Sequence, residues 1–109
     1  MHSQSNKEWV ENRLKFIELR NHQDGLEKYA NSNGIEALTI RRQLNIYELI
    51  AIGIKNDILD EEMYKHYYKS TVVRDFKGSR NFVDRERKGV DGTQTFWVEF
   101  EEMAKRFEA

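Results

Sequence analysis

The sequence predicts an all-α fold: a single small bundle of four to five helices around a central apolar helix at about residues 35–55. Three observations predict it. Proline is absent from the 109 residues, so no residue breaks a helix for want of an amide donor. β-Branched residues are scattered, and no apolar–polar alternation of period two lasts long enough for a strand. Apolar residues recur instead at helical spacing. A chain of this length forms one core and buries roughly two thirds of its unfolded surface, so residues 1–109 are expected to be one domain.

The first helix is expected from about Lys7 to Asp24, opened by Ser5 with Glu8 three residues on, a capping-box pattern. It turns Trp9, Val10, Leu14, Phe16 and Ile17 to one face. Gly25 permits a break, "LEKYA" can add a turn or two, and "NSNG" reads as a turn. The second helix, Ile35 to Lys55, has apolar side chains in nearly every direction, as a helix enclosed by neighbours does; Asn56 is its expected left-handed cap. Asp60 can cap a third helix, Glu61 to Tyr68, which is expected to turn Met63, Tyr64 and Tyr67 inward. A fourth helix, Ser70 to Arg87, stacks Val72, Val73, Phe76 and Val83, with Gly78 as an irregularity. "KGVDG" is a loop. The last helix, Thr93 to Phe107, carries the cleanest amphipathic pattern, in Phe96, Trp97, Phe100, Met103, Ala104 and Phe107.

Composition narrows the function classes. With no cysteine there is neither a disulfide framework nor a thiolate metal site. The longest apolar run, "LIAIGI", is far short of a membrane span, and "MHSQSNKEWV" lacks the apolar core of a signal peptide. The expectation is a soluble, cytoplasmic chain with no membrane span. Net charge is −1, but unevenly spread: residues 65–88 hold eight Lys/Arg against three acids, and residues 91–109 hold five acids against two bases. Two mutually attracting helices of one bundle explain such segregation.

The stretch "NIYELIAIGIKNDILDEE" poses the main question, because Asn45 and Glu48 interrupt its apolar surface. With Arg41 they fall within about a 60° arc of the helix, at 100° per residue. Leu38 and Ile52 project the same way, which suggests cover over the arc. A covered carboxylate needs donors, and guanidinium groups suit the task. The donors expected are Arg80 on the fourth helix and Arg13 on the first, with Arg20 beside it. A structural clamp, an exposed stripe and a functional site all remain open for Asn45 and Glu48.

Other candidates are thinner. Glu62 and His66 lie one turn apart but lack the repeated Glu-x-x-His of bundle metal sites, and His2 and His22 have no partner motif; neither metal nor cofactor is expected. No nucleophile elbow, phosphate loop or His-Glu-x-x-His occurs, so no catalytic residue is assigned and the chain is expected not to be an enzyme. "KHYYKSTVVRDFKGSRNFVDRERK" mixes bases with aromatics, as nucleic-acid binders do; Lys69, Arg74, Lys77, Arg85, Arg87 and Lys88 would make those contacts. The last helix shows more aromatic surface than a short helix usually buries. Trp97, Phe100 and Phe107 are therefore candidates for a surface facing a protein partner or a second copy.

From Arg42 onward the chain resembles a bacterial family of domains of unknown function. The resemblance rests on "LNIYELIAIGI", "DILDEE", "FVDRERK" and "FEEMAKRFEA". It implies no assigned activity, and it marks Asn45 and Glu48 as a family feature. Many members carry a transmembrane helix ahead of the domain, whereas residues 1–8 here are polar; a stand-alone version is found on phages and other mobile elements. The expected function is a non-catalytic protein-interaction module, acting on a host partner if phage-borne. Nucleic-acid binding is the alternative, and a hydrolytic or metal enzyme around Glu48 is the third reading.

Overall fold

The computed structural model describes residues 2–109, with side chains from Asn6 onward. Four α-helices make the bundle: α1 (His2–Arg20), α2 (Ile35–Lys55), α3 (Glu61–Arg87) and α4 (Val98–Glu108), with a single 3-10 turn at Glu27–Tyr29. Helix α2 packs against α1 on one flank and α4 on the other; α3 packs on α4 and the 3-10 turn and touches α1. Phe16, Ile40, Leu44, Val72, Phe82, Val83, Phe100, Met103 and Phe107 fill the space between them, all fully buried.

The predicted third and fourth helices are one. Neither proline nor glycine separates Tyr68 from Ser70, and Asp60 caps the N-terminus by accepting from the Met63 amide at 3.0 Å. Gly78 lies inside α3 without breaking it. A Cβ there would stand 2.9 Å from Arg20 Cγ, so the missing side chain makes room for the arginine stem crossing from α1. The left-handed residue after α2 is Asp57 (φ 59°) rather than Asn56, whose φ is −99°. Helix α1 is already running at His2, so Ser5 lies within it and does not cap it; the Ser5 side chain is outside the described residues.

Three faces differ from expectation. Among the described side chains of α1 only Phe16 and Leu19 are buried, while Trp9, Val10 and Leu14 stand exposed. At the start of α3, Met63 and Tyr67 point outward; Tyr64 is the inward one, against Phe107. Helix α2 is not enclosed. Its outer side leaves Ile35 61%, Leu38 40%, Leu49 69% and Ile52 38% exposed. Its neighbours cover its flanks and its inner side, and none crosses the outside.

Candidate functional site

The most constrained polar centre is Asp75, which is fully buried on the inward face of α3 between Val72 and Phe76. Arg13 Nη1 donates to Oδ2 and Arg20 Nη1 to Oδ1, each at 2.5 Å, and the Tyr47 hydroxyl donates to Oδ2 at 2.5 Å. One carboxylate thereby ties α1, α2 and α3 together. Burial, then the adjacent Asp75 charge, push the Tyr47 hydroxyl far above its ordinary pKa. Tyr47 remains a neutral donor, its ring stacked on Phe100 at 4.5 Å. A buried carboxylate needs such a set, because each unmade bond would leave charge in a low dielectric.

A second carboxylate fastens the far end of α3. Glu86 accepts two parallel bonds from Arg41, at 2.8 and 2.9 Å, and one from the Asn31 amide at 2.5 Å. Burial works against its ionisation, but the Arg41 and Asn31 donors prevail and hold its pKa below the ordinary range. Asn31 reaches this position in the left-handed region (φ 63°), which asparagine tolerates better than most residues.

Asn45 and Glu48 serve the start of α4. Trp97, the residue before that helix, is itself left-handed (φ 55°) and offers no side-chain cap. Glu48 supplies one from outside, accepting from the Phe100 amide at 2.8 Å and the Glu99 amide at 3.3 Å. Those are two of the amides a helix leaves without internal partners, and a negative charge suits them. Asn45 Oδ1 accepts from the Trp97 indole at 2.8 Å. Arg87 completes the brace from α3, donating to the Phe96 carbonyl at 2.7 Å and to Glu101 at 2.9 Å. Burial opposes ionisation of Glu101, but Arg87 and Lys105 outweigh it and lower its pKa. Gly92 lets the preceding loop pass over the end of α3, since a Cβ there would lie 2.1 Å from the Glu86 carbonyl.

These residues border a cleft of about 560 Å³ between α2 and the loop before α4, lined by Arg41, Asn45, Glu48, Glu86, Phe96 and Trp97 among others. On the α2 side and at the end of α3 the polar walls are already engaged: Glu86 with Arg41, Asn45 with Trp97, Glu48 with α4. On the other flank of α2, a groove of about 840 Å³ runs between it and α1, lined by Trp9, Ile35, Ile46 and again Asn45. The outer side of α2 is therefore a ridge between two hollows.

Several predicted contacts need correction. Arg13 and Arg80 do not reach Glu48; no cation lies within ion-pair distance of it among the described residues. Arg13 serves Asp75, and Arg80 faces Asp84 and Glu101. Trp97, Phe100 and Phe107 are buried against the core and present no surface to a partner. Their helix is short, yet α2 and α3 cover it from two sides. Of the six candidate nucleic-acid contacts, Arg87 is turned inward into the brace. Lys77 meets Glu108, Arg85 donates to the Glu27 carbonyl, and Arg74 lies 3.9 Å from Asp75; Lys69 and Lys88 are exposed. His66 sits edge-on to Tyr67, and no group able to hold a metal ion occurs among the described residues. None of the described helices is long and apolar enough to cross a membrane.

Sequence reasoning missed Asp75, counting it only as an acid that dilutes a basic segment. The signal was present: one carboxylate between Val72 and Phe76, and two arginines seven residues apart on the Phe16 side of α1. Residues 1–107 match the family described as Domain of unknown function (DUF4760), and the chain belongs to it. No curated protein and no solved structure matches.

Proposed function

We propose that this DUF4760 domain is a non-catalytic module that binds protein through the outer ridge of α2. One observation carries the reading. Ile35, Leu38, Leu49 and Ile52 leave apolar surface open along the outer side of α2. With exposed Arg42 and Asn45 they follow one another at steps of three, four, three, four and three, the seam that a partner helix reads in a coiled coil. The partner is therefore an amphipathic helix with apolar residues at the same spacing, laid between the two hollows. What supports the absence of catalysis is that Glu48, Glu86 and Asn45, which line the 560 Å³ cleft, already serve a helix end, an ion pair and the Trp97 indole. The finer reading, a host protein as target of a phage-borne domain, rests on the family resemblance alone.

The test places a photo-activatable cross-linker at position 49 and, as control, at Glu102 on exposed α4 surface, in the native cells. Adducts from position 49, joined to a helical apolar segment and missing from position 102, are the expected result. No adduct at 49, or equal adducts at both positions, overturns the proposal.

A further inference from the structure

We infer that the helix seated on this ridge is α2 of a second copy, running antiparallel. The inference rests on the protein-binding reading and adds the identity and direction of the partner. Antiparallel seams pair the two alternating positions of the repeat with one another. Matching residues whose numbers sum to 87 puts Ile35 against Ile52 of the other copy, Leu38 against Leu49, and Arg42 against Asn45. Every exposed apolar residue of the ridge then meets an apolar one, with one polar layer on each side of the dyad.

The flanks agree with this register. Arg41 and Glu48 are the residues beside the seam that face each other across such a pair, and they carry opposite charges. Arg41 uses Nε and Nη2 inside its own chain; its Nη1 has no partner among the described residues. Glu48 accepts one amide on each oxygen, which leaves lone pairs for a donor from outside. A parallel pair would instead set Arg42 against Arg42 and bring Arg41 against Ile46 and Glu48 against Gly53, so direction follows from charge as well as from shape. A two-fold contact of this kind is self-complementary and closes on itself. The seam from Ile35 to Ile52 is only about 26 Å long, at the small end of stable interfaces, so the association is concentration-dependent.

Sedimentation of the intact chain, from low micromolar to near-millimolar concentration, is expected to show a monomer–dimer equilibrium that Leu49→Glu abolishes while its circular dichroism stays native. Because the chain has no cysteine, single thiols report direction. In the antiparallel pair two copies of position 42 are offset along the axis by about 4.5 Å, and two copies of position 35 by about 26 Å. A short bifunctional thiol reagent should thus join Arg42→Cys chains and leave Ile35→Cys chains unjoined. Equal joining of both overturns the direction. A wild-type chain that stays monomeric throughout overturns the second copy; if position 49 still gives an adduct with another protein in cells, the protein-binding reading survives, and if it gives none both fall.

Discussion

Asp75 and Glu48 are both carboxylates serving helices other than their own, and their surroundings set very different costs for removing them. Asp75→Ala leaves Arg13 and Arg20, both largely covered, without their acid, and should cost about 3–5 kcal/mol, the range for one partner of a buried ion pair. Glu48→Ala removes an accessible cap, leaving the Glu99 and Phe100 amides to water, and should cost about 1–2 kcal/mol. Denaturant melts of the two variants check the order; a larger loss at position 48 would return the centre of the molecule to α2. Both acids stand in plain view in the sequence, and charge patterning alone does not rank them. What ranks them is which carboxylate is enclosed, and enclosure depends on how α1 crosses α3. Periodicity within either helix says nothing about that crossing.

The elements divide by how local their causes are. Helix α2 was legible to the residue at both ends, because a Gly and an Asn-Asp turn bracket a stretch with no proline and with apolar residues in most directions. Helix α4 was expected to begin at Thr93 and begins at Val98: Thr93 and Thr95 form a side-chain-bonded turn, and Trp97 adopts a left-handed backbone held by contacts from α2 and α3. Those contacts are remote in sequence, so no local pattern announces the break. Gly78 shows the same effect within α3. In an open helix Gly→Ala gains about 1 kcal/mol. Here the added methyl would press on the Arg20 stem, whose guanidinium is fixed on Asp75, so Gly78→Ala should lower the thermal midpoint instead of raising it. A rise would show that the Arg20 crossing is loose.

At the scale of the whole molecule, buried and half-buried ion pairs bind the helices, and their titration sets the acid limit of the fold. Glu86 and Glu101 have folded-state pKa values below their ordinary 4.5. Stability from a depressed carboxylate is present above the unfolded value and lost as pH falls through the folded one. Melting temperature should therefore hold near neutral pH, drop below about pH 4.5 and keep falling toward the lower folded values. Glu86→Gln should flatten part of that fall; a slope identical to wild type would remove Glu86 from the account. The all-α architecture was legible from periodicity. The open side of α2 was not, because an apolar residue looks the same in sequence whether its neighbour is another element of the bundle or comes from outside it.

The donors that meet Asp75 come from 28, 55 and 62 residues earlier in the chain. A ribosome releases residues from the N-terminus onward, and domains take shape as the needed length emerges. The two arginines of α1 are thus made long before the acid that will hold them, and the first two helices can be born and paired while their charges still face water. The knot tightens only once the middle of α3 is out. Until then the emerging chain carries two unclaimed cations, a transient personality that the finished molecule never shows.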